Sequence, residues 1–170
     1  MNPAPSIRQA RRADARAWAA LRTALWPDED PSRHLPDIHT FLANSARAAA
    51  FLASTAGGEA VGFAEASLRF DYVNGTETSP VGFLEGWYVA PAYRRRGVGR
   101  ALVAEVERWA RLKGCSELAS DALIGNTDSH RAHEACGVVV VQGTDRQARR
   151  LRRLPDTELL VLGHGRDRTP

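Results

Sequence analysis

The segment VGFLEGWYVAPAYRRRGVGRALVAEVERWARLKGCSELAS, residues 81 to 120, leaves the chain few folds to choose from. It opens with an apolar run rich in aromatic and β-branched side chains, which favours a strand, and Pro91 ends that run. Val98, Leu102, Val106 and Trp109 then recur at helical spacing, and Gly114 supplies a stop. CSELAS reads as another short strand, so residues 82 to 120 form a βαβ unit, which requires a sheet with a covered face.

The rest of the chain has to build around that unit. SIRQA is extended, and DARAWAALRTALW places Trp18, Leu21 and Leu25 on one helical face, with Asp14 standing where a cap would. Pro27 and Pro31 break this helix, and LPDIHTFLANSAR offers a second one with Pro36 near its first turn. AAFLAS and EAVGFAEASLRFDY are two strands joined by the turn TAGGE. After the strand CSELAS come Asp121, a loop containing Gly125, and a short helix near NTDSHRAHEAC. The resulting order, β, α, α, β, β, β, α, β, α, predicts a mixed α/β sheet flanked by helices, and 170 residues suffice for one such domain.

At the strand-to-helix junction lies RRRGVG. The first N–H groups of a helix lack partners and carry partial positive charge, so they hold anions. Gly97 and Gly99 permit close backbone approach, and Arg94, Arg95 and Arg96 add full charges, an arrangement suited to a pyrophosphate. The spacing is neither the G-x-G-x-x-G of dinucleotide folds nor the G-x-x-x-x-G-K-[ST] of ATP hydrolases. Alone, the same run is equally a solvated basic loop.

Net charge is +3, but its distribution argues against a polyanion partner. Residues 1 to 137 hold sixteen basic and sixteen acidic side chains, and residues 13 to 93 hold ten acids against five arginines. That acidic half attracts cations. No apolar run is long enough to span a bilayer and no signal peptide is evident, which makes the cytoplasm the expected location. Cys115 and Cys136 are expected to be buried free thiols. His34, His39, His130 and His133 form no metal-ligand pattern, so no metal is expected.

Arg94-Arg95-Arg96-Gly97-Val98-Gly99 resembles the [QR]-x-x-G-x-[GA] signature of the GNAT N-acetyltransferases. More narrowly, LRTALWP, GFAEASLRFDYVNG, SPVGFLEGWYVAPAYRRRGVG, KGCSELASD and HEACG, in this order, look like the bacterial aminoglycoside 6′-N-acetyltransferases over about Ser6 to Gly137. The resemblance implies the acyl-CoA N-acyltransferase fold, a mixed and mostly antiparallel sheet, with acetyl-CoA as co-substrate and a homodimer. It implies substrate-binding roles for Trp26, Tyr72, Glu85 and Asp121, and a catalytic one for Glu85. It further implies cofactor contacts from Trp87, Tyr88 and Val89, from Arg94 through Gly99 including Val98, and from Asn126. From the residues alone, Trp26 could be core, Tyr72 an exposed strand-end aromatic, Asp121 a turn residue and Asn126 a helix cap. Glu85 is the most informative of these, because an unpaired charge inside an apolar strand is costly: it is either a salt bridge or a ligand for substrate.

Beyond Gly137 the pattern departs from that family. VVVVQGTDRQARRLRRLPDTELLVLGHGRDRTP carries seven arginines and no tyrosine. A late acidic substrate contact falls on Gln142 or, with a two-residue slip, on Asp145. Residues 1 to 137 therefore read as the acetyltransferase domain. Residues 138 to 170 read as a divergent Arg-rich segment: a helix or disordered extension, a nucleic-acid tail, or the product of a frameshift in a GC-rich gene. The expected activity is transfer of acetyl from acetyl-CoA to the 6′-amino group of aminoglycosides. The alternatives are acetylation of another amine, such as a polyamine or a protein N-terminus, and a catalytically weakened CoA-binding protein. Neither a nucleic acid nor a membrane is an expected partner.

Overall fold

The computed structural model describes residues 3–73, 75–123, 138–140 and 146–151, with side chains through Ser120. In chain order these form β1 (Ser6–Gln9), α1 (Ala15–Leu25), α2 (His34–Ala43), β2 (Ala48–Ser54), β3 (Ala60–Arg69), β4 (Val81–Val89), α3 (Val98–Leu112), β5 (Leu118–Leu123), β6 (Val138–Val140) and β7 (Arg146–Leu151). The strands make one sheet in the order β1-β2-β3-β4-β5-β7-β6. Every pairing is antiparallel except β4 with β5, the parallel pair that α3 connects. The mixed, mostly antiparallel sheet implied by the sequence is thus observed.

Helices cover both faces. β2 lies between β1 and β3, and its alternation sorts the core into two layers. Ala49, Phe51 and Ala53 pack with Leu102, Val106 and Trp109 of α3, whereas Ala50 and Leu52 pack with Trp18 and Leu21 of α1, Ile38 of α2 and Phe63 of β3. Trp18 and Leu102 are completely buried, one on each side. The Trp18 indole meets Phe41 of α2 edge to face at 5.7 Å, which fixes the two helices against each other.

Asp14 precedes α1 as expected, but its side chain does not cap that helix. Its carboxylate accepts from the Arg11 amide at 2.7 Å and from both terminal nitrogens of Arg8 at 2.8 Å, tying the end of β1 to the turn before α1. A fully buried Glu117, ahead of β5, accepts from the amides of Glu77 and Thr78 and from the Thr78 hydroxyl, which anchors the β3–β4 loop.

Two readings of the sequence change. β5 does not end at Ser120 but runs on to Leu123, so Asp121 stands inside the strand, opposite Ala148, rather than in a turn after it. QARRL, read as helix or extension, belongs to β7 between β5 and β6, where strand pairing overrides the local preference of an Arg-rich segment. The helix expected near NTDSHRAHEAC, together with Cys136, Gln142 and Asp145, lies outside the described residues. Cys115 is buried and free, and burial pushes its thiol up to about 11, which leaves it unreactive at neutral pH. No helix among the described residues is long and apolar enough to cross a membrane.

Candidate active site

Two irregularities in β4 create the site. The first is a bulge. Glu65 pairs with Gly86 and Ala66 with Leu84, so Glu85 is an extra residue without a partner in the β3 ladder. Regular alternation would send residues 85 and 86 to opposite faces; the bulge instead brings Glu85 and Gly86 to the α1 and α2 side, beside Glu65. The second irregularity is a divergence of strands. β4 and β5 pair only from Gly82 with Leu118 to Leu84 with Ser120, although β4 continues to Val89 and β5 to Leu123. Beyond Leu84 the β5-side edge of β4 is free of that ladder, and a linear amide-bearing molecule can pair there as an added strand does.

On the helical side of the bulge is a cavity of about 510 Å³. Asp28, Glu29, Asp30, Asp37, Glu65 and Glu85 line it, against two cations, Arg22 and Arg33. Trp26 completes the wall. Its indole lies over Gly86, where a Cβ would come within 2.8 Å of the ring, so glycine is what lets the aromatic wall seat on the strand. The same ring meets Phe63 at 6.3 Å, and the Arg22 guanidinium stands 5.0 Å from its centre. Six carboxylates with one aromatic wall suit a ligand bearing several ammonium groups.

The two strand carboxylates are held differently. Glu85 is gripped on both oxygens: Oε1 accepts from Ser67 Oγ and from Arg69 Nε and Nη2, and Oε2 accepts from Arg69 Nη2 at 2.9 Å. The salt bridge foreseen as one reading of Glu85 is present, yet the pair is half exposed and Glu85 still lines the cavity. Glu65 is only 2% exposed, and its protein partners, the Trp18 indole N–H at 2.6 Å and Arg22 Nε at 3.1 Å, both meet Oε1. Burial pushes the Glu65 carboxyl up to about 7, opposed by the Arg22 charge and the Trp18 hydrogen bond and assisted by the charges of Glu85 and Asp37.

On the opposite side of β4, the loop before α3 takes the form of an anion cradle. Arg95 has φ 59° and Gly97 φ 81°, two left-handed residues close together, and such turns aim successive amides into one concavity. The first helical bond of this turn runs from the Ala101 amide to the Gly97 carbonyl at 3.0 Å, so the amides of Val98 and Gly99 precede it and face out of the helix end. Val98 contributes only backbone, since its side chain is buried in the core.

The arginines are less alike than the sequence suggests. Arg94 donates from Nε to the Val89 carbonyl at 2.8 Å and lies over Tyr88, so it locks the loop to the end of β4. Arg96 rests over Tyr93. Gly99 has a packing reason: a Cβ there would stand 2.8 Å from the Trp87 ring. Trp87 and Val89, partly buried, pack on the α3 core, and Tyr88, also partly buried, packs on the α1 core.

Of the other candidates, Tyr72 is 83% exposed on the β3–β4 loop and does not line the cavity. The Asp121 side chain and Asn126 lie outside the described residues. The sequence reading missed Glu65, Arg22 and Asp37. Only Glu65 left a signal, a carboxylate inside the apolar strand VGFAEASL, the same signal that singled out Glu85. Among the described residues no group of three His, Cys, Asp or Glu side chains is placed to hold a metal ion.

Residues 15–138 match the family model described as Acetyltransferase (GNAT) family. The aminoglycoside N(6′)-acetyltransferase type 1 of Stenotrophomonas maltophilia is 59% identical over 134 residues, which are 79% of this chain and 86% of that protein. The structure of AAC(6′)-Iy in complex with the bisubstrate analogue CoA-S-monomethyl-acetylneamine superposes with a TM-score of 0.74 at 45% identity, covering 79% of this chain and 90% of that one. The aminoglycoside 6′-N-acetyltransferase AAC(6′)-Ih from Acinetobacter baumannii does so with a TM-score of 0.75 at 42% identity, covering 84% and 93%.

The raised Glu65 carboxyl has a consequence for stability. Between about 4.5 and about 7 the folded protein keeps a proton that the unfolded chain has lost, so stability falls as pH rises through this window, by about 3 kcal/mol at most. Urea unfolding of wild type and Glu65→Gln across this range is expected to give a free-energy difference that moves in favour of the variant with rising pH. Parallel curves would contradict the placement of a buried, ionisable Glu65.

Proposed function

The chain belongs to the GNAT acetyltransferase family, and we propose that it transfers acetyl from acetyl-CoA to the 6′-amino group of aminoglycoside antibiotics, the activity that underlies resistance to them. The observation that carries this reading is the acidic cavity on the bulged strand: six carboxylates and Trp26 beside the place where β4 leaves β5. A polycationic acceptor fits that wall as an acyl-CoA fits the opposite side of the strand.

The cofactor side fits an acyl-CoA on this chain's own geometry. The amides around Gly97 would take the pyrophosphate, with Arg95 and Arg96 adding charge and Arg94 holding the loop to Val89. The backbone of Trp87 to Val89, past the end of the β4–β5 ladder, would pair with the pantetheine amides. Acetyl-CoA supplies an activated thioester. Backbone N–H groups near Val89 polarise its carbonyl oxygen, the 6′-amine attacks the carbon, the C–N bond forms, and the C–S bond breaks to release CoA thiolate. No covalent enzyme intermediate is required.

On the acceptor side, Glu85 binds the ammonium and, directly or through water, begins its deprotonation, with Trp26 as the flat wall for the sugar ring. Asp121, inside β5, and Tyr72 belong to the substrate side in this reading, and Asn126 to the cofactor side. The homodimer implied by the family resemblance and the cytoplasmic location expected from the sequence go with it.

The test is release of CoA thiol in the presence of aminoglycosides carrying an amine or a hydroxyl at the 6′ position, with a linear polyamine as a third acceptor. Rapid turnover of the 6′-amine compounds and little with the 6′-hydroxyl compounds is expected. Equal rates on all three would refute 6′ specificity. Glu85→Gln is expected to lower kcat by roughly 10²-fold or more while acetyl-CoA affinity stays within about twofold. Unchanged turnover would remove Glu85 from this role.

A further inference from the structure

The site contains a second carboxylate whose arrangement suits a task that Glu85 is poorly placed to complete. From the geometry we infer that Glu65 is the proton acceptor of the site, the group on which the proton leaving the substrate ammonium comes to rest before acetyl transfer. This rests on the reading that the cavity binds an amine, and it adds a division of labour between two carboxylates.

Hydrogen bonding sets the division. Glu85 Oε1 accepts from Ser67 and from two Arg69 nitrogens and Oε2 from Arg69, so this carboxylate is already held by four donor contacts, and what stays open on Oε2 is room for one further donor such as a substrate ammonium. Glu65 presents the reverse case. Both of its partners meet Oε1, and the residue lines the cavity, so a proton can be received on Oε2 with the Trp18 and Arg22 contacts intact. Register places the two within reach of one ligand, since Glu65 pairs with Gly86, the residue next to the bulged Glu85.

The charges facing Glu65 come from each element packed against it: Arg22 of α1, Asp37 of α2 and Glu85 of β4. Arg22 is shared, standing 3.1 Å from Glu65 and 4.0 Å from Asp37, so it offsets burial only in part. Burial dominates and leaves the Glu65 carboxyl at about 7, where a small change of surroundings moves a proton on or off at neutral pH. Glu85, clasped by Arg69, binds the cation, and Glu65 holds the proton.

The step balances. The ammonium gives one proton to Glu65, directly or through one water, and becomes a neutral amine. The amine nitrogen then bonds to the thioester carbon as CoA thiolate departs, and the second proton lost from nitrogen goes to the thiolate or to solvent. Glu65 returns its proton to solvent when product leaves.

The experiment is the pH dependence of kcat/KM for the amine that the wild type acetylates best, in wild type, Glu65→Gln and Trp18→Phe, with acetyl-CoA affinity measured alongside. Wild type is expected to rise to a plateau through about pH 7 as the free-enzyme base ionises. Glu65→Gln is expected to lose that limb and fall by roughly 10²-fold or more, with acetyl-CoA affinity unchanged. Trp18→Phe removes the donor that lowers the Glu65 carboxyl, so its limb is expected to move to higher pH. A Glu65→Gln enzyme that keeps the wild-type rate and limb overturns the proposal. Should that variant fail to fold, an unmoved limb in Trp18→Phe overturns it equally. Failure of the 6′-amine reading is distinguishable, because it appears in the choice of acceptor and leaves the limb in place for whichever amine is acetylated. Carbon-13 NMR of the Glu65 carboxyl in the ligand-free protein needs no turnover: a midpoint at about 7 is expected, and one in the ordinary glutamate range overturns the proposal.

Discussion

One extra residue in β4 determines the rest of this site. Because Glu85 has no opposite number in β3, it and Gly86 fall on the same face of the sheet. Glu85 then stands beside Glu65, and Gly86 offers the bare backbone on which Trp26 seats. Past the bulge, β4 stays paired with β3 but parts from β5, which continues against β7. The same short stretch thus gives an acidic cavity on one face and an open strand edge beside it, so an acceptor amine and an acyl thioester can meet across a single strand.

The cavity is costly to build and is held by its neighbours. A carboxylate as buried as Glu65 is destabilising unless it is paired, and the protein supplies an indole N–H and a guanidinium, both on one oxygen. Trp18 serves twice, as the completely buried anchor of the α1 layer and as the donor to Glu65, which ties the packing of the core to the state of the cavity. Arg22 also serves twice, beside Glu65 and near the face of Trp26. An isolated positive charge in a cation-binding cavity would be counterproductive; here it is spent on Glu65 and Asp37, and the wall stays acidic toward a ligand.

Much of this was legible in the sequence. The strand, loop and helix over residues 81 to 114 announced themselves by apolar spacing and glycine, and the carboxylate inside an apolar strand pointed to Glu85. Other parts were not legible, for physical reasons. A bulge depends on the register of two strands, and neither strand alone records it. Arg94 and Arg96 look equivalent in RRRGVG, yet Arg94 is fastened to the Val89 carbonyl while Arg96 rests over Tyr93. Gly99 looks like a phosphate glycine and is required by Trp87. Arg22 and Asp37 sit on ordinary amphipathic helices, where a charge normally faces solvent, and only the packing of α1 on α2 turns them toward Glu65. QARRL carries no strand signal, and it joins the sheet on the edge of β5 opposite β4.

The account comes down to where the reacting nitrogen sits. A crystal structure of the protein with CoA and an aminoglycoside carrying a 6′-amine measures this directly. The 6′ nitrogen is expected within hydrogen-bond distance of Glu85 and facing Glu65, with the sugar ring on Trp26 and the pyrophosphate on the amides around Gly97. A 6′ nitrogen outside the cavity, with the carboxylates of Glu65 and Glu85 contacting no part of the ligand, would contradict it.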